Sequence, residues 1–231
     1  MREFTLMILA AGYGTRMLPL TKKTPKPLLK IKNNTLLENT IIFFEKLGCT
    51  KFIINTHYLH QRIETFVKKK LSKKNIILNY EISILNTGGG IKNSLQYFNN
   101  KNLVVTNSDI FWDENNKQDV MDFIQDIDNI EACSILLLNK INAIGLNKDK
   151  GDFILEDTFI KKWIDNNPII YYSGLQIVNP DIFNLTKKEK FSMNLIWNKL
   201  INKRKLTGKI MKSQWIHVGD INTINWINKF F

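Results

Sequence analysis

Residues 9 to 16, Leu-Ala-Ala-Gly-Tyr-Gly-Thr-Arg, put a small-residue loop directly before a cation. Gly12 and Gly14 allow positive φ and leave room for a ligand to approach the backbone. Lys26 follows ten residues after Arg16, held between Pro25 and Pro27. A loop with free N–H groups followed by two fixed cations is what a triphosphate needs. Further along, Asn107-Ser108-Asp109 closes the apolar run Leu103 to Thr106. An aspartate at a strand's carboxyl end, in a cleft that holds phosphates, is a natural Mg²⁺ ligand. Taken alone, the same letter is explained by a turn aspartate capping the next segment.

Two commoner glycine loops are excluded. The dinucleotide fingerprint needs a third glycine where this chain has Met17, and no Gly-Lys-Ser/Thr follows at the P-loop spacing. A plain glycine turn would not require the ordered Arg and Lys with two bracketing prolines.

The elements that must position these groups alternate. Phe4–Leu9, Lys51–Asn55, Ile76–Tyr80 and Leu103–Asn107 read as strands, and Leu36–Leu47, Leu59–Lys70 and Ile91–Phe98 as helices. This rhythm predicts a mostly parallel sheet with helices on both faces, and ligands beyond the strands' carboxyl ends. The later segments are less regular. Asp119–Ile127 and Ser192–Ile201 read as helices. Ala132–Leu138, Lys150–Leu155, Ile160–Trp163, Tyr171–Val178, Lys209–Met211 and Trp215–Val218 read as strands. Asp220 suits the N-cap of a last helix better than a metal site.

The stretch Leu9 to Thr21, followed by Pro25-Lys26-Pro27-Leu28, resembles the signature of sugar-1-phosphate nucleotidyltransferases. The resemblance implies a Rossmann-like three-layer α/β/α sandwich with a mostly parallel mixed sheet. It implies transfer of a nucleotidyl group from a nucleoside triphosphate to a sugar 1-phosphate, with Mg²⁺ as cofactor. Arg16, Lys26 and Asp109 would be the catalytic groups. Leu9, Ala10, Ala11, Gly12, Gly14, Thr15, Arg16, Lys26, Asn86, Thr87, Gly88 and Asn107 would hold the nucleotide. In Leu85-Asn86-Thr87-Gly88-Gly89-Gly90 the glycines would let the backbone press against a flat base. Gly151, Asp152, Ser173 and Gly174 resemble segments that bind the acceptor in N-acetylmuramate-1-phosphate uridylyltransferases, although a hairpin glycine and a turn aspartate explain them equally. Asp109 and His217 take the two metal positions. His217 stands where those relatives carry Asp, and imidazole is a poorer Mg²⁺ ligand than carboxylate. His57 reads as a satisfied histidine at the cleft edge. Within the family, the short uridylyltransferases of cell-wall recycling fit best. Guanylyl or cytidylyl transfer to mannose or heptose 1-phosphate or phosphocholine, and a nucleotide-sugar-binding regulator without catalysis, are the alternatives.

Composition bounds the rest. The 231 residues fit one domain, and no hexapeptide repeat of a C-terminal β-helix is visible. The net charge of +12 invites a nucleic-acid partner, but only four of the 33 basic residues are Arg. The excess is lysine, and Lys68-Lys69-Lys70 suits a solvated helix end. No nucleic-acid or membrane partner is expected, and the oligomer would be a monomer or a small homo-oligomer. Two isolated cysteines, no signal peptide and no membrane-length apolar run suggest a cytoplasmic protein.

Overall fold

The structure is a computed structural model that describes residues 3–98, 102–146 and 148–231. The first half contains β1 (Phe4–Leu9), β2 (Lys30–Ile31), β3 (Asn34–Thr35), α1 (Leu36–Lys46), β4 (Cys49–Thr56), α2 (His60–Lys70), β5 (Ile76–Tyr80), α3 (Asn86–Ser94) and β6 (Leu103–Asn107). The second contains β7 (Ile110–Phe111), α4 (Lys117–Ile124), β8 (Cys133–Asn139), β9 (Ala143–Ile144), β10 (Phe153–Glu156), β11 (Phe159–Lys162), β12 (Ile170–Val178), α5 (Met193–Asn202), β13 (Leu206–Met211), β14 (Trp215–His217) and α6 (Ile221–Phe230).

Nine strands form one sheet, in the order β10-β11-β13-β8-β12-β6-β1-β4-β5. The four at the β5 end run parallel, as the βα rhythm predicts. β12 then enters antiparallel between β6 and β8, and β11 is antiparallel to both β10 and β13. β10 and β11 are joined through Asp157-Thr158, with Asp157 at φ 55°. A link this short permits only an antiparallel neighbour. β10 also pairs with β12 through Phe153 and Ile170. That end of the sheet therefore curls into a partly closed barrel, where a plain Rossmann-like sandwich would stay open.

Strand β1 is apolar on both faces because both are covered. Phe4, Leu6 and Ile8 join Phe52, Ile54 and Val104 in a core shared with Leu37, Ile41 and Phe44 of α1, Ile63 of α2 and Phe123 of α4. Met7, Ile53, Leu103 and Val105 face the other way, against Ile91 of α3 and Met193, Ile196 and Trp197 of α5. Cys49 and Cys133 are buried in these cores and unpaired, and burial pushes both thiols up to about 12. No helix among the described residues is long and apolar enough to cross a membrane.

One helix begins earlier than expected. α3 starts at Asn86, not Ile91, so Gly88, Gly89 and Gly90 lie inside it. Packing explains why. A Cβ on Gly88 would sit 2.4 Å from the Phe191 ring, and one on Gly89 would sit 2.2 Å from the Glu189 carbonyl. The glycines bring α3 against the segment before α5. That close contact overrides the low helix propensity of glycine.

Candidate active site

The carboxyl ends of three parallel strands meet at one place. Leu9 lies beside Asn55 of β4 on one side and Asn107 of β6 on the other. The loop after β1 therefore hangs over the centre of the sheet. The Ala10 N–H donates to Asn55 Oδ1 at 2.9 Å. The N–H groups of residues 11 to 14 have no acceptor among the described residues. Such unpaired amides make an anion cradle.

Gly14 adopts φ 65°. Its carbonyl accepts from Thr21 Oγ1 and from the Met17 N–H, each at 2.9 Å. A Cβ there would lie 3.2 Å from Lys26 Cβ, so the glycine lets the lysine-bearing strap close in. Gly12 works differently. It is outside the left-handed region, and nothing lies within 4 Å of a Cβ built on it. Its face is open to a ligand.

The strap turns at Pro25 and presents Lys26, which is 8% exposed. Lys26 Nζ donates to Asp109 Oδ2 at 2.8 Å. His217 Nε2 lies 3.3 Å from the same oxygen. Among the described residues Asp109 Oδ1 has no partner. Burial opposes ionisation of Asp109, but the Lys26 charge and the His217 contact outweigh it. Its carboxyl is held well below the usual carboxylate range. The main chain fixes this cluster: Asp109 O accepts from the Val218 N–H at 2.8 Å, and β14 pairs with β7 through His217 and Ile110. Trp215 stacks on the His217 ring, with centroids 5.8 Å apart and planes 11° from parallel. The other ring nitrogen, Nδ1, faces Gly145 O at 3.3 Å. Which nitrogen carries the proton decides which contact is a hydrogen bond.

Two cavities adjoin this cluster. One, of about 580 Å³, runs from Arg16, Lys26 and Asp109 past the loop to Glu81, Asn86 and Thr87. The other, of about 510 Å³, lies under β12 and α5 and includes His217. Arg16 and Asn107 belong to both walls. Arg16 is exposed and has no hydrogen bond or ion pair among the described residues. One cavity has a cationic end and a polar flank of Asn86, Thr87 and the Glu81 carboxylate, as a nucleotide's phosphates and base require. The second opens where the phosphates would lie.

A family model described as Nucleotidyl transferase matches residues 5–143. The chain belongs to this family. The transferase is 28% identical to an N-acetylmuramate alpha-1-phosphate uridylyltransferase of Caulobacter vibrioides, over 93% of this chain and 91% of that one. It is 27% identical to a D-glycero-alpha-D-manno-heptose 1-phosphate guanylyltransferase of Campylobacter jejuni, over 92% and 93%. Its fold matches that of HddC from Yersinia pseudotuberculosis at 22% identity, with a TM-score of 0.77 over 99% of this chain and 100% of that one. It also matches a UDP-glucose pyrophosphorylase complexed with UDP-glucose at 17% identity, with a TM-score of 0.74 over 99% and 98%. The transferase is an enzyme of the sugar-1-phosphate nucleotidyltransferase class.

In the transferase, Leu9, Ala10, Ala11, Gly12, Gly14, Thr15, Arg16, Lys26, Asn86, Thr87, Asn107 and Asp109 line the first cavity. Gly151, Asp152, Gly174 and His217 line the second. Two expected residues line neither. Gly88 is buried against Phe191, as described above. Ser173 is fully buried, its Oγ accepts from the Leu175 N–H at 3.3 Å, and its carbonyl accepts from Trp215 Nε1 at 2.8 Å. The pairing of β12 with β8 slips between Tyr172 and Gln176. Strand alternation is kept through it: Ser173 falls on the buried side with Tyr171, Leu175 and Ile177, and Gly174, at φ 89°, lies with Tyr172 on the cavity wall. Asp152 is not free for sugar hydroxyls alone. Its Oδ2 accepts from the Tyr172 N–H at 3.0 Å, and its Oδ1 from Lys148 Nζ at 3.3 Å. Asp220 caps α6, accepting from the Thr223 N–H at 2.8 Å.

Sequence reasoning missed Glu81. It is 2% exposed on the first cavity's wall, and it accepts from Asn55 Nδ2 at 2.7 Å and from the Leu85 N–H at 2.9 Å. The available signal was a lone carboxylate directly after a strand, the same placement that singled out Asp109. His57 completes this edge, with Nδ1 2.8 Å from Glu81 O and Nε2 3.3 Å from the Tyr13 hydroxyl.

Proposed function

We propose that the transferase moves a uridylyl group from UTP to N-acetylmuramate 1-phosphate, giving UDP-sugar and pyrophosphate. The observation that carries this reading is the pair of cavities meeting at Arg16, with the Lys26–Asp109–His217 cluster at the junction. The uridylyltransferases of Caulobacter vibrioides and Neisseria meningitidis, 28% and 27% identical, support the choice of substrates.

An oxygen of the sugar phosphate attacks the α-phosphorus in line as the bond to the bridging oxygen breaks, and pyrophosphate leaves. No covalent enzyme intermediate is needed. The protein must hold two anions together and stabilise the charge that gathers on the leaving group. The free amides of residues 11 to 14 and Arg16 bind the β- and γ-phosphates. Lys26 leaves Asp109 Oδ2 to bridge the α-phosphate and the sugar phosphate. Its flanking prolines keep that reach short.

The donor set fits Mg²⁺. A single carboxylate with one open oxygen suits a cation that keeps several waters and takes phosphate oxygens as further ligands. Asp109 would hold it through Oδ1, with His217 as a second donor once its Nε2 lone pair is free. Bound there, Mg²⁺ would supply Lewis-acid polarisation of the α-phosphoryl group.

One observation favours a second reading, guanylyl transfer to heptose or mannose 1-phosphate. Glu81 puts a carboxylate on the nucleotide wall, and guanine offers two adjacent N–H donors where uracil offers one. A panel of UTP, GTP, CTP and ATP against N-acetylmuramate, mannose and heptose 1-phosphates, read by pyrophosphate release, decides. UTP with the muramate ester is expected to turn over fastest. GTP with a neutral sugar phosphate as the leading pair would replace the uridylyl reading. Nucleotide binding without pyrophosphate release in any pair would make the protein a regulator.

A further inference from the structure

The second cavity carries an unbalanced charge. Its walls include Arg16, Lys148 and Lys162 against one carboxylate, Asp152. That carboxylate is already shared between Lys148 and the Tyr172 N–H. Arg16 sits on the wall shared with the nucleotide cavity, so phosphates account for its charge. Lys162 is left. Its ammonium, on an exposed side chain, has no hydrogen bond or ion pair among the described residues. It ends β11, opposite Phe153 of β10. Its neighbour Lys161 points to the other side of the strand and is neutralised by Glu156 at 2.6 Å. The strand therefore presents one paired lysine away from the cavity and one unpaired lysine on its wall.

We infer that Lys162 is a specificity-determining residue that reads a carboxylate on the acceptor sugar, away from the 1-phosphate. The inference rests on the assignment of this cavity to the acceptor. Apart from Asp152, the remaining wall is uncharged, with Trp197, Phe153 and Leu146 offering faces for a sugar ring and Asn194 and Asn198 offering amides. A neutral hexose 1-phosphate would leave Lys162 without a counter-charge. A sugar carrying a lactyl ether supplies one. An ammonium on a flexible stem matches a carboxylate that projects from the ring on its own short arm. Its partner is solvated before binding, so the pair mainly sets which acceptor is chosen.

N-acetylmuramate 1-phosphate and N-acetylglucosamine 1-phosphate differ only in the lactyl ether, so their kcat/KM ratio isolates this contact. Lys162→Met is expected to lower the muramate-to-glucosamine ratio about tenfold. The loss should appear in KM for the muramate ester, with turnover of the glucosamine ester unchanged. Lys162→Arg, which keeps the charge, should keep most of the ratio, and Lys161→Met should leave it untouched. An unchanged ratio in Lys162→Met, in an enzyme that prefers the muramate ester, overturns the role of Lys162 and leaves the acceptor reading standing. No muramate turnover by the unmodified enzyme overturns that reading and this inference together.

Discussion

Lys26 Nζ and His217 Nε2 converge on Asp109 Oδ2, and this convergence sets what each variant should do. Lys26→Ala removes the group proposed to bridge both reacting phosphates. It should cost roughly 3–5 kcal/mol in the transition state, about a hundredfold to a few thousandfold in turnover. Turnover within threefold of wild type, with both substrates saturating, would remove Lys26 from the mechanism. His217→Asp separates two roles. If His217 ligates the metal, a carboxylate there strengthens the pull on Mg²⁺. The Mg²⁺ concentration for half-maximal rate should then fall, and any Mn²⁺ advantage should narrow. If the ring instead donates to a phosphate, the new charge repels substrate and the rate falls at every metal concentration. A fall with no shift in metal requirement sinks the ligand role.

At the scale of elements, glycines separate ligand space from packing space. Gly12→Ala adds a methyl group to open space, so its melting temperature should stay near wild type while KM for the nucleotide rises. Gly89→Ala puts a methyl group 2.2 Å from a main-chain carbonyl, and the helix must move. It should lower stability by about 1–3 kcal/mol. Thermal unfolding of both variants, with nucleotide titrations, checks the contrast. The same residues show what the sequence could reveal. The loop after β1 was legible because Arg16, Lys26 and the glycines sit within one local stretch. The packing role of Gly88 and Gly89 was hidden because their constraint comes from Phe191 and Glu189, about a hundred residues away. Ser173 faces the core because it shares the Tyr171, Leu175 and Ile177 side of β12, and which side of that strand is covered depends on elements distant in sequence. The βα alternation gave away the parallel half of the sheet. The curled half depends on β10 meeting β12, a pairing with no local signature.

Across the whole molecule, one coupled charge ties stability to pH. Asp109 titrates lower in the folded protein than in the unfolded chain. Its stabilising contribution is therefore complete above the unfolded value, about 4, and is lost as pH falls through the folded one. Asp109→Asn lacks this contribution. Its melting temperature should lie below wild type at neutral pH, and the gap should close as the solution is acidified below about pH 4. A gap constant across that range would mean that the Lys26 pairing does not support the fold.

Arg16 and Asn107 belong to both cavity walls, so the two chambers adjoin at these side chains. A nucleotide sugar is one molecule long enough to straddle that boundary. It should shut out either substrate on its own, raising the apparent KM for the triphosphate and for the sugar phosphate alike. Pyrophosphate covers only the cationic end of one chamber and should compete with the triphosphate alone. The finished compound would then throttle its own synthesis at both doors, and initial-rate product inhibition against each substrate in turn would reveal it.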